Sequence, residues 1–189
     1  MSIIKIDKLS FSYSGFSRDI FDNASFSLDT EWKTGLIGRN GVGKSTLFKL
    51  LLGEEKYEGK IIKSVKCIRF PPKVRDEELT GLEIFNSFTE GEEWRLFREL
   101  SLLDIDESMI YRPFNILSKG ERTKILLAAL FTMEDGYLLI DEPTNHLDMR
   151  GREAVANYLK SKKGFLLISH DRSFLDNCID HVISINRTL

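Results

Sequence analysis

The run Gly38-Arg39-Asn40-Gly41-Val42-Gly43-Lys44-Ser45 matches G-x-x-x-x-G-K-[ST] at every fixed position. The chemistry of this spacing is phosphate binding. Glycines let backbone N–H groups turn inward around an anion. The helix that follows adds its positive N-terminal end. Lys44 supplies a mobile positive charge for the β- and γ-phosphates, and Ser45, followed by Thr46, offers a hydroxyl to magnesium. The loop therefore predicts binding of a nucleoside triphosphate with Mg2+. A glycine turn that merely starts a helix is the plain alternative, and a match this complete in the right context is rare by chance.

A second candidate is Tyr137-Leu138-Leu139-Ile140-Asp141-Glu142, an apolar run that ends in two carboxylates. Next to a phosphate loop, the first carboxylate suits a magnesium ligand and the second suits a group that orients or deprotonates water. A charged exit from a buried strand is the bland reading. A third is Leu117-Ser118-Lys119-Gly120-Glu121. Ser118 and Glu121 form S-x-x-E, a helix-capping box. The same helix start, with a free hydroxyl and the bare Gly120 amide, could also hold an anion.

These residues need elements to position them. Residues 3–13 alternate as a strand, with Leu9, Phe11 and Tyr13 on one face. Further strands are expected at 21–29 and 33–37, and Gly53 stops a helix over 44–52. Residues 58–70 read as a β-pair ending at Pro71-Pro72. Residues 73–112 turn charged and helical; the stretch from Glu90 to Glu99 reads as a solvated helix face with Trp94 and Phe97 turned inward. A helix over 119–133, strands at 136–140, 165–168 and 181–185, and helices over 150–160 and after Asp171 complete the chain. Strands alternating with helices predict an α/β domain with a mostly parallel core sheet, an antiparallel β lobe and a small helical lobe. The domain is expected to comprise 1–72 and 134–189 as core, with 73–133 as the helical lobe.

With 189 residues, the chain suits one domain with a core of ordinary size. A net charge of −2 argues against binding nucleic acid by bulk charge. Cys67 and Cys178 form no CxxC pair, so neither a zinc site nor a disulfide framework is expected, and a reduced, cytoplasmic setting fits. The apolar run from Ile125 to Phe131 is far too short to span a membrane.

Taken together, GRNGVGKST, LSKGE, YLLIDEP, TNHLD and ISHDR stand in the order and rough spacing of the ATP-binding-cassette superfamily. The resemblance covers essentially the whole chain. It implies the P-loop NTPase fold, ATP and Mg2+ as ligands, and ATP hydrolysis. LSKGE resembles the family's signature motif, with Lys119 where glycine is usual. The resemblance gives Asp141 as the magnesium aspartate and Glu142 as the catalytic glutamate. It makes Asp148 the aspartate of the D-loop and His170 the switch histidine at the γ-phosphate; a loop histidine beside the Asp171 helix is the plainer reading. Tyr13 falls where an aromatic ring stacks on adenine, although it also reads as a core aromatic. His146 and His181 read as structural.

EPTNHLD followed by SHDRSFLD resembles the soluble ABC-F branch, whose members carry two cassettes and act on the ribosome, some of them in antibiotic resistance. The stretch between Lys44 and Ser118 is short for a transporter cassette, which supports that branch. The expected partners are a second cassette, in the same longer chain or as a homodimer, and the ribosome. The chain stops just after its last strand and is expected to be the N-terminal cassette of a longer protein. The alternatives are the energy subunit of a membrane transporter and an ATP-gated binding module. One departure stands out. The family places a glutamine after the strand ending near Phe70; this chain contains no glutamine, and Pro72 occupies that place. Proline has neither carboxamide nor N–H.

Overall fold

The computed structural model describes residues 2–15, 18–89, 92–133 and 135–186. Its elements, in chain order, are β1 (Ile3–Phe11), β2 (Phe21–Asp29), β3 (Lys33–Ile37), α1 (Lys44–Leu52), β4 (Glu58–Ile62), β5 (Lys66–Phe70), α2 (Gly81–Phe88), α3 (Glu93–Leu102), α4 (Lys119–Phe131), β6 (Gly136–Asp141), α5 (Met149–Lys160), β7 (Phe165–Ile168), α6 (Arg172–Cys178) and β8 (His181–Ser184). Two 3-10 turns, Glu107–Tyr111 and Phe114–Ile116, lead into α4.

The strands form two sheets. One is antiparallel with order β2-β1-β4; the other has order β5-β6-β7-β3-β8 and parallel pairing throughout. Period-2 alternation on β6 and β7 sends side chains to opposite faces of the parallel sheet. Leu138, Ile140, Phe165 and Leu167 join a core with helices α2 to α6. Tyr137, Leu139, Leu166 and Ile168 join a second core with α1 and the antiparallel sheet. Strands buried on both faces read as continuous apolar runs, which is how YLLI and FLLI appear.

Three expectations are corrected. Residues 58–70 do not make a β-pair: β4 joins the antiparallel sheet and β5 the parallel one. Local sequence shows two extended runs, but the partner of each is chosen by distant strands. Trp94 does not turn inward; it is 54% exposed, while Leu96 and Leu100 take the buried face of α3. Glu99, expected on a solvated face, is 3% exposed. Tyr158 donates its hydroxyl to Glu99 at 2.7 Å, Lys162 pairs with the same carboxylate oxygen, and Arg98 lies 3.2 Å from the other. A buried carboxylate persists only with such partners. In addition, Tyr13 lies two residues beyond the end of β1 rather than within it. Residues 90, 91, 134 and 187–189, which enter the expectations above, lie outside the described residues.

Candidate functional site

The parallel sheet brings three strand ends together, because β7 lies between β3 and β6. Ligands in open α/β sheets bind beyond the carboxyl ends of such strands. β3 ends at the glycine-rich loop, β6 at Asp141-Glu142, and β7 at Ser169-His170. The Glu142 amide donates to the Ile168 carbonyl at 2.9 Å, which locks the acidic end of β6 to the end of β7.

A cavity of about 420 Å³ is lined by Tyr13, Ile20, Asn40, Gly41, Gly43, Lys44, Ser45, Thr46, Asp141, Glu142, Ile168 and His170. Gly43 caps α1 at φ 116°, and a Cβ there would sit 2.5 Å from Ile20 Cγ2. Both conformation and space therefore require glycine. The N-terminus of α1 carries no side-chain cap, whereas α2, α4, α5 and α6 are capped by Thr80, Ser118, Asp148 and Asp171. Its first-turn amides are free to meet an anion. Lys44 is only 8% exposed and donates to the carbonyls of Gly38 at 2.8 Å and Arg39 at 3.2 Å. An ammonium has three donors, so one is left to the cavity.

Burial pushes the Asp141 carboxyl above the usual range, against the pull of Arg69, His170 and Lys44. Burial likewise raises Glu142, while His170 lowers it and the Asp141 charge raises it further. Glu142 Oε1 lies 3.4 Å from His170 Nε2, and Glu142 Oε2 accepts from the His170 amide at 3.4 Å. Oε1 is buried without a hydrogen bond of good geometry, and the Glu142 backbone sits at φ 49°. A non-glycine residue in that region is a local cost, and such costs gather at functional sites.

Among the predicted residues, Gly38 and Arg39 face an adjoining cavity that Lys44 and His170 share. Val42 is buried, and a Cβ on Gly38 would lie 2.8 Å from its Cγ1. The Tyr13 hydroxyl lies 3.4 Å from Thr46 Oγ1, its ring meets Phe11 edge-on at 4.9 Å, and Lys49 Nζ stands 5.4 Å from the ring centroid. Tyr13 is thus both a packed aromatic and a wall of the cavity. Ser118, Gly120 and Asp148 do not line it. Ser118 accepts from the Glu121 amide at 3.2 Å, and Glu121 accepts from the Ser118 amide at 2.7 Å, completing the capping box. Asp148 accepts from the Gly151 amide at 2.7 Å. A Cβ on Gly120 would meet Leu147 at 3.2 Å, so the start of α4 packs on the loop after Glu142.

Sequence reasoning missed Ile20 and Ile168 as cavity walls. It also missed a second cavity, of about 370 Å³, where Pro71, Pro72, Glu77, Lys119, Arg122, Asn145 and His146 surround the other side of Asp141 and Glu142. His146, read as structural, is exposed there at φ 71°.

A family model described as "ABC transporter" matches residues 21–145. The ribosome protection protein VmlR of Bacillus subtilis (strain 168) is 36% identical over 169 residues, covering 84% of this chain and 30% of that protein. ATP-binding cassette sub-family F member 2 of Bos taurus is 32% identical over 180 residues, 89% of this chain and 28% of that protein. The chain thus spans about three-tenths of the length of these curated relatives. In fold, it is similar to the solved ATP-binding subunit of an ABC transporter, with a TM-score of 0.81 over 97% of this chain and 85% of that one, at 24% identity.

Proposed function

The chain belongs to the ATP-binding-cassette family, and we propose that it binds Mg-ATP, closes on a second cassette and hydrolyses the nucleotide as part of a cytoplasmic ABC-F protein acting on the ribosome. The observation that carries this reading is the convergence of the phosphate loop, Asp141, Glu142 and His170 on one cavity. Lys44, held by two carbonyls, neutralises the phosphates without having to be reorganised. Ser45 and Asp141 would hold Mg2+. The described residues contain no cluster of three or more His, Cys, Asp or Glu suited to a metal. One hydroxyl and one carboxylate suit a hard ion whose remaining oxygens come from phosphate and water. When bound, the ion would draw charge from the phosphate oxygens. Glu142 takes the proton of the attacking water; its raised proton affinity and its position beside Asp141 support that role. The His170 amide donates to one Glu142 oxygen and its ring stands 3.4 Å from the other, which places His170 against the carboxylate. Tyr13 is assigned to the adenine.

Ser118, Gly120 and Asp148 sit at helix starts outside this cavity, as residues serving a partner's nucleotide would. The chain by itself therefore binds ATP and turns it over slowly. Turnover by the isolated chain at about 1 s⁻¹ or faster, within the ordinary enzyme range, would overturn the shared-site reading. The ribosomal assignment rests on similarity to F-family relatives, one of them a ribosome protection protein. No helix of the described residues is long and apolar enough to cross a membrane. Co-sedimentation with ribosomes in the presence of ATP tests the assignment. Association that strengthens when Glu142 is replaced by glutamine supports it; absence of association with either protein, together with capture of a membrane subunit, would favour a transporter's energy subunit.

A further inference from the structure

Arg122 stands in the first turn of α4, where the helix dipole disfavours a cation. Its guanidinium folds back toward the N-terminus and spends its donors on three acceptors. Nε donates to the Leu117 carbonyl at 3.0 Å, Nη2 to the Asn115 carbonyl, and Nη1 to Glu77 Oε2 at 2.8 Å. Its Cζ also lies 5.2 Å from the centre of the Phe114 ring. Two of these acceptors belong to the segment that delivers Ser118. The third belongs to the strip that leaves β5 through Pro71 and Pro72.

That strip is laced to the same segment by its backbone. The Asn115 amide donates to the Glu77 carbonyl at 2.8 Å and the Phe114 amide to the Leu79 carbonyl at 2.9 Å, and Thr80 forms an antiparallel bridge with Pro113. At its other end the strip walls the cavity that Pro72, Glu77 and Arg122 share with Asp141 and Glu142. Position 72 itself is proline, with neither a carboxamide nor an N–H to offer that cavity. A few residues further on, the Glu77–Arg122 pair joins the strip to the segment before Ser118. A part-exposed ion pair alone contributes little. A planar fork that also holds two backbone carbonyls imposes a geometry that lysine cannot reproduce.

We infer that Arg122 is a positioning residue: it fixes the backbone of 115–117, and with it Ser118, and ties that segment through Glu77 to the strip beside the catalytic carboxylates. The inference rests on the proposed closure over a second cassette. Its consequence is that loss of Arg122 impairs presentation of Ser118 while leaving the chain's own phosphate loop intact.

The test uses the protein together with its partner cassette, with Glu142→Gln to hold the closed state, and reads ATP-driven closure by fluorescence transfer between cassettes. Arg122→Ala is expected to raise the ATP concentration for half-closure about tenfold or more, with ATP affinity of the separate chain within about twofold, because closure needs both sites and binding needs one. Arg122→Lys, which keeps the charge but not the fork, should fall between, and Glu77→Ala should raise the half-closure concentration several-fold. Amide exchange at 115–117 in the separate chain should quicken in Arg122→Ala. Unchanged closure in Arg122→Ala, or an equal loss of ATP affinity, overturns the assignment. Unchanged closure in Glu77→Ala overturns the link to the strip. If Glu142→Gln itself shows no ATP-driven closure, the shared-site reading fails, and unchanged exchange at 115–117 would then sink the Arg122 assignment separately.

Discussion

Replacing Glu142 by glutamine isolates one charge at the centre of the proposed chemistry. The two side chains have the same shape, and both must accept the left-handed backbone at φ 49°, so the strain is common to parent and variant. The His170 amide still finds an oxygen at the position it now uses, 3.4 Å away. What is lost is the proton acceptor. A positioned general base contributes about 10²- to 10⁴-fold, equivalent to roughly 3–5 kcal/mol on the barrier. The Glu142 side chain is 18% exposed, and burial raises its affinity for a proton above that of a solvated carboxylate. Binding should not suffer, because removing a negative charge beside the phosphates reduces repulsion. The assay is phosphate release in a single turnover by the paired protein, with ATP affinity measured in parallel. Turnover within about threefold of the parent would refute the assignment of Glu142 as the base, since that lies far below the range of general-base contributions. A parallel loss of affinity would show instead that the residue holds the site together.

The other expected outcomes concern binding and stability. Lys44→Ala should weaken ATP binding about 10- to 150-fold by titration calorimetry, the loss of one charge-assisted contact worth roughly 1.5–3 kcal/mol; unchanged affinity would remove Lys44 from the phosphate site. Glu99→Ala strands Lys162, which is 14% exposed, and removes the acceptor of the Tyr158 hydroxyl. Urea unfolding should therefore report a loss of about 3 kcal/mol, the lower end for breaking a buried pair. The carboxyls of Glu83, Asp106 and Asp171 are held below the usual range by hydrogen bonds from Thr80, from Ser108 and, for Asp171, from Ser173 and the Phe174 amide. Each binds fewer protons folded than unfolded, so its stabilisation is complete above the ordinary carboxylate range and is lost as pH falls toward the lowered values. Asp171→Asn should flatten the acid limb of a melting-temperature profile, and an unaltered limb would show that the cap contributes nothing.

Much of the site was legible because its residues act through local geometry. A glycine-rich turn, a lysine and a serine within one loop need only the next helix to shape the loop, and Gly43 takes φ 116° at the start of that helix. The acid pair was visible because a buried strand must end where charge begins. The capping box at Ser118 was visible because S-x-x-E closes on itself within one turn. Glu99 was not legible: its surface-like neighbourhood in sequence hides partners 59 and 63 positions away. The exposure of Trp94 was missed for a related reason, since α3 turns Leu96 and Leu100 to the core instead.

The sequence alone determined most of the elements, the glycine-rich loop and the family resemblance, because periodicity, capping and turn chemistry are settled within a few residues. Only the tertiary structure decided which strands are neighbours. It parted β4 from β5 into separate sheets and slotted β7 between β3 and β6, so that His170 meets Glu142 from a strand end 28 positions away. It also joined Arg122 to Glu77 across 45 positions. Such contacts depend on how the buried faces of distant segments pack against one another, and no local pattern encodes that choice.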